Sequence, residues 1–117
     1  MTSFNQKDFP ILIVDDDWGI CSGLEEIISG EGYSVSTAQS AQEALEKLND
    51  QTFPLVLSDI MMPGMSGIEL LEKVKSISPD TIVIMMTGYS SIIGAITAIK
   101  AGAQDYLIKP LKYDDIL

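Results

Sequence analysis

A chain of 117 residues, 46% of them hydrophobic, is long enough for one domain with a real apolar core and too apolar to remain disordered. Its 17 acidic residues against 7 lysines leave a net charge of −10, which argues against direct binding of nucleic acid by this domain. Histidine and arginine are absent and Cys21 is the one cysteine, which excludes imidazole chemistry, guanidinium clamps and an internal disulfide.

Met1-Thr2-Ser3-Phe4 leads into Asn5, Gln6, Lys7 and Asp8, without the apolar stretch of a signal peptide. No apolar run reaches the length of a membrane span. With the lone cysteine, these features point to a reducing cytoplasm. Ile11-Leu12-Ile13-Val14 is a continuous apolar and mostly β-branched run that ends on Asp15-Asp16-Asp17, the pattern of a buried parallel strand. Ile20, Leu24, Ile27 and Ile28 then recur at helical spacing, and Gly30 and Gly32 end the helix. Tyr33, Val35 and Thr37 alternate with small polar residues as a second strand. Ser40-Ala41-Gln42-Glu43 is a capping box that opens a second helix with Ala44, Leu45 and Leu48 on one face.

Leu55-Val56-Leu57-Ser58-Asp59 reads as the central strand, stopped by a carboxylate before the Pro63-Gly64 turn. Ser66-Gly67-Ile68-Glu69 is a second capping box, and Leu70 or Leu71, Val74 and Ile77 form the buried stripe of a third helix that Pro79 stops. Thr81 to Met86 is a fourth strand ending on Thr87-Gly88. Ile92, Ile96 and Ile99 make the stripe of a fourth helix, weakened at Gly94 and closed by Gly102. Asp105-Tyr106-Leu107-Ile108 is a fifth strand running into Lys109-Pro110, and the last helix is barely begun at Leu117. The expectation is a single domain over residues 1–117, the N-terminal part of a longer protein, with a parallel sheet covered by helices on both faces.

In such a sheet the carboxyl ends of the strands share one rim. That rim would carry Asp15, Asp16 and, as a third member of the triplet, Asp17, together with Asp59, Thr87 and Lys109. Each has a bland reading: a helix cap for the triplet, a turn for Asp59 and for Thr87-Gly88, a solvated loop lysine for Lys109. Together they make a site. Carboxylates at about 4 Å repel by roughly 4 kcal/mol at an effective dielectric near 20, so such a site either takes up protons or binds a cation. Oxygen donors with room for water suit Mg²⁺, and a lysine and a hydroxyl beside them suit phosphoryl chemistry on a carboxylate.

The segments ILIVDDD, LVLSDIMMPGMSG, IVIMMTGYSS and DYLIKP, in this order, resemble the receiver domain of bacterial two-component response regulators over nearly the whole chain. The resemblance implies a flavodoxin-like three-layer αβα fold with five parallel strands in the order 2-1-3-4-5. It implies Asp59 as phosphoacceptor from the phosphohistidine of a sensor histidine kinase or phosphotransfer domain. Asp15, Asp16, Asp59 and the backbone carbonyl of Met61 would be the metal ligands, Asp15 mainly through water. Lys109, preceding a proline through a cis peptide, and Thr87 would hold the phosphoryl group, and Thr87 and Tyr106 would form the switch. That switch would remodel the surface of the fourth helix, fifth strand and last helix, and through it an output domain or a phosphorylation-dependent dimer. The segment MTGYSSIIGAITAIKAGAQDYLIKP is similar to receivers of NtrC-like transcriptional activators. Such a domain catalyses only its own phosphorylation and dephosphorylation. Met61 and Tyr89 would flank the path of water to the phosphoaspartate, and Trp18 would report metal binding.

Other proteins would share part of this pattern. A receiver of a hybrid histidine kinase or phosphorelay would share these motifs. A Mg²⁺-dependent aspartyl-phosphate phosphatase usually has a second aspartate where Met61 stands, and a flavin carrier needs a first loop less acidic than this one. A degenerate receiver would keep the fold and lose the acidic, threonine and lysine positions that are intact here. Ser66 stands where the family often has aspartate, and either residue can cap a helix.

Overall fold

The computed structural model describes residues 9–59, 64–87 and 105–108. Eight elements follow in the order β1 (Ile11–Val14), α1 (Trp18–Gly30), β2 (Val35–Ala38), α2 (Ala41–Asp50), β3 (Leu55–Asp59), α3 (Gly67–Ile77), β4 (Ile82–Thr87) and β5 (Asp105–Ile108). All strand pairs are parallel, and the sheet order is β2-β1-β3-β4-β5, as the receiver resemblance implies. The fourth helix with Gly94, the Lys109-Pro110 peptide and the last helix lie outside the described residues.

The sheet is buried on both faces because alternate residues of its inner strands serve different helices. Leu12, Val14, Val56, Val83 and Met85 pack with Ala41 and Ala44 of α2 and with Leu70, Leu71 and Val74 of α3. Ile11, Ile13, Leu57 and Met86 face the other way, against Cys21, Leu24 and Ile28 of α1. Both Leu70 and Leu71 are buried, which resolves the choice between them left open by periodicity. Ile77 is 55% exposed and does not belong to the stripe. It is the last residue of α3, where no further turn brings it back over the sheet.

The caps act as the two Ser-x-x-Glu motifs predict. Ser40 Oγ accepts from the Glu43 N–H at 3.1 Å and Ser66 Oγ accepts from the Glu69 N–H at 3.2 Å. Glu43 reaches back one residue further than a standard box, accepting from the Gln39 N–H at 3.2 Å. Gly32, after α1, and Gly64, after the central strand, have φ of 98° and 78°, values a Cβ disfavours. β2 begins at Val35 rather than Tyr33; Tyr33 instead sets its ring edge-on to Phe9, with centroids 6.1 Å apart. β4 begins one residue after Thr81, whose buried hydroxyl donates to the Phe53 carbonyl at 2.8 Å and ties the end of the α3 loop to the start of β3.

Candidate functional site

The register of the sheet builds the site. Val14 of β1 lies opposite Ser58 of β3, so the following residues, Asp15 and Asp59, reach the same rim. Asp59 lies opposite Met86 of β4, and Thr87, the next residue, pairs with Ile108 of β5. The backbone therefore sets Thr87 at this rim too. Tyr106 stands opposite Met85, further down β5. Met61, Lys109 and Tyr89, three further residues of the expected site, lie outside the described residues.

Asp15 is fully buried and Asp59 only 6% exposed, whereas Asp16 faces solvent. Carboxylate oxygens of all three lie within 4.8 Å of one another. Sequence order alone separates Asp59 from the other two by more than forty positions, roughly the length of a βαβαβ unit, and the parallel register closes that gap. Three carboxylates this close repel unless protons or a cation intervene. Hard oxygen donors, two anchored in the rim and one open to water, fit Mg²⁺, which binds through few carboxylates and retains water. The donor chemistry thus matches the metal inferred from the sequence.

Asp17 takes a different part from the one expected of a third rim carboxylate. It is the N-cap of α1: its Oδ1 accepts from the Gly19 N–H at 2.9 Å and the Ile20 N–H at 3.4 Å. The first amides of a helix have no partner within it, so they claim the nearest short acceptor side chain. Among the described residues the acidic cluster contains Asp15, Asp16 and Asp59 without Asp17. The signal was present in the sequence, since aspartate directly before a helical stretch is a start signal.

Two neighbours brace the site and were not singled out from the sequence. Cys21 donates through Sγ to the Asp15 carbonyl at 3.2 Å, with the Ala38 carbonyl 3.9 Å away. Burial, and then the adjacent Asp15 charge, push its thiol up to about 11, so it is a neutral donor rather than a metal-binding thiolate. Ser58 is buried beside Asp59 and donates to the Asp59 carbonyl at 3.1 Å. Trp18, 56% exposed, begins α1 at the edge of this rim. Among the described residues, no helix is long and apolar enough to cross a membrane.

Comparison with known proteins returns one family. A model described as the response regulator receiver domain matches residues 11–117. The transcriptional regulatory protein ZraR of Escherichia coli K12 is 46% identical over 106 residues, which cover 91% of this chain and 24% of that protein. The chain therefore spans about a quarter of the length of this curated relative, which is 24% covered. The solution structure of the beryllofluoride-activated NtrC4 receiver domain dimer superposes with a TM-score of 0.87 at 37% identity, covering 92% of this chain and 88% of that one. A response regulator of Burkholderia pseudomallei, solved with a phosphorylated aspartic acid, a calcium ion and citrate, superposes with a TM-score of 0.86 at 31% identity, covering 92% and 63%.

Proposed function

The chain belongs to the family of response regulator receiver domains, and from that premise we propose that Asp59 is its phosphoacceptor. The observation that carries the proposal is the placement of Asp59 at the carboxyl end of the central strand, within reach of the Asp15 and Asp16 carboxylates. A strand-end carboxylate held by the sheet behind it is a fixed nucleophile with one open direction of approach.

An ionised Asp59 oxygen attacks the phosphorus of a phosphohistidine on a sensor kinase or phosphotransfer domain. The new O–P bond forms as the N–P bond breaks, and the departing imidazole takes a proton from solvent. Asp15, Asp16, Asp59 and the Met61 carbonyl are the residues that would hold Mg²⁺. When bound, that ion offsets the charge of the carboxylates and of the transferring oxygens. Lys109 supplies the second positive charge, and Thr87 a hydroxyl donor at the same rim. The chain's own part is to position the acceptor, bind the phosphoryl oxygens and exclude competing nucleophiles, so the reaction occurs only on itself.

The new dianion then biases a two-state element: Thr87 turns toward it and Tyr106 follows, altering the surface of the fourth helix, fifth strand and last helix. The likeness to ZraR and to the NtrC4 receiver supports a cytoplasmic transcriptional regulator whose output domain lies C-terminal to this one and whose active form is a dimer. That identity in a transcriptional regulator also favours this output over a hybrid kinase. The test is intact mass measurement and peptide mapping after treatment with acetyl phosphate and Mg²⁺. One added phosphoryl group on Asp59, absent from Asp59→Asn, is expected; none, or one mapped elsewhere, overturns the proposal.

A further inference from the structure

We infer that Asp17 is a positioning residue for the metal site: its side chain caps α1, and the capped first turn holds the Asp15 carboxylate in place. This rests on the Mg²⁺ reading above. The Asp17 N–H donates to Asp15 Oδ1 at 2.9 Å, while Asp17 Oδ1 accepts from Gly19 and Ile20. The Asp17 carbonyl accepts from the N–H groups of Ile20 and Cys21, both at 3.1 Å. Cys21, fastened in this way, returns its Sγ to the Asp15 carbonyl. Asp15 is thus gripped at its side chain and at its backbone by the same turn of α1, and Asp16 is suspended between the two anchors.

Gly19 fits this design independently. A Cβ at that position would lie 3.2 Å from Asp17 Oδ1, so the bare α-carbon leaves the capping carboxylate its space. Without the cap the first turn loses its acceptor, its amides turn to water, and the grip on Asp15 loosens. The negative charge of Asp17 has no part in this, because asparagine caps a helix as well as aspartate. Capping and charge can therefore be separated by one atom.

Titration calorimetry of the 117-residue chain with MgCl₂ separates them. Outer-shell groups that orient metal ligands typically change affinity ten- to a hundred-fold, so Asp17→Ala is expected to weaken Mg²⁺ binding about tenfold. Asp17→Asn keeps the affinity within about twofold, since it keeps the cap. Gly19→Ala weakens binding in the same direction as Asp17→Ala by crowding the carboxylate. Thr81→Val, which breaks the Thr81–Phe53 bond at the opposite end of the sheet, lowers the urea midpoint and leaves the affinity unchanged. Wild-type affinity in Asp17→Ala overturns the inference. So does Asp17→Asn binding as weakly as Asp17→Ala, which would assign the effect to charge, or Thr81→Val doing so, which would assign it to stability. Should Asp17→Ala fail to fold, Gly19→Ala against Thr81→Val decides, and wild-type affinity in Gly19→Ala overturns it. A wild-type chain that takes up no Mg²⁺ instead overturns the functional reading itself.

Discussion

Three adjacent aspartates with the same side chain take three environments here, and the difference is set by what each can reach. Asp15 follows the last residue of β1 and is buried, Asp16 faces water, and Asp17 meets the bare amides of α1. Position before a helical stretch marks Asp17 as a cap, but only the geometry of the loop separates the buried Asp15 from the exposed Asp16. Cys21 shows the same dependence. Alone it is a small apolar residue, but here it lies under the Asp15 carbonyl with its thiol pushed up to about 11 from 9.0. A raised thiol pKa keeps the folded form neutral, so the stability linked to it is complete below pH 9 and is lost as pH rises towards 11, because the unfolded thiol ionises first. Every other group is common to wild type and Cys21→Ala and cancels in the comparison. The advantage of wild type over Cys21→Ala in urea unfolding should therefore shrink between pH 7 and pH 10. An advantage that stays constant or grows would show that the thiol does not resist ionisation.

At the scale of elements, each of the described helices is started by a short polar residue, Asp17, Ser40 or Ser66. The Ser66 hydroxyl takes the Glu69 amide, and Glu69 places a negative charge in the first turn, where the helix dipole favours it. Removing that acceptor in Ser66→Ala should cost about 1 kcal/mol of stability, whereas Ser66→Asp should be neutral or slightly stabilising. Urea midpoints check both, and an unaffected Ser66→Ala would mean that packing alone starts α3. These starts were legible because a capping box is a local pattern, as is the continuous apolar run of a strand covered on both faces. The strand order was not legible in the same way. Alternation of strands and helices is the same for many orders, and the order 2-1-3-4-5 came from the resemblance of motifs. Ile77 failed for a related reason: helical periodicity places it beside Val74, yet only the tertiary end of α3 decides whether anything covers it. The Asp15–Asp59 pairing was legible through chemistry, since two parallel strands that each end on a carboxylate bring both to one rim, and β1 and β3 are neighbours in the sheet.

At the scale of the whole molecule, charge opposes the fold. A net charge of −10 on 117 residues is self-repelling, and among the described residues Asp15, Asp16 and Asp59 form an acidic cluster whose oxygens meet within 4.8 Å. Two of those carboxylates are buried, so screening by monovalent salt reaches them poorly, while a divalent ion bound among them acts directly. MgCl₂ should then raise the urea midpoint beyond an ionic-strength-matched NaCl control, by about 1.4 kcal/mol of stability at ten times the dissociation constant. Asp59→Asn makes the sign of the argument visible. With one repelling charge removed and the shape kept, the variant should be more stable than wild type in the absence of Mg²⁺, and should gain less when Mg²⁺ is added. The two curves converge as the ion saturates wild type, because protein charge and bound cation solve the same electrostatic problem. If Asp59→Asn were less stable without Mg²⁺ and gained as much from it, the rim would be held together by its hydrogen bonds rather than strained by its charge. The acidic cluster would then no longer be a place where this fold trades stability for the carboxylate proposed as phosphoacceptor.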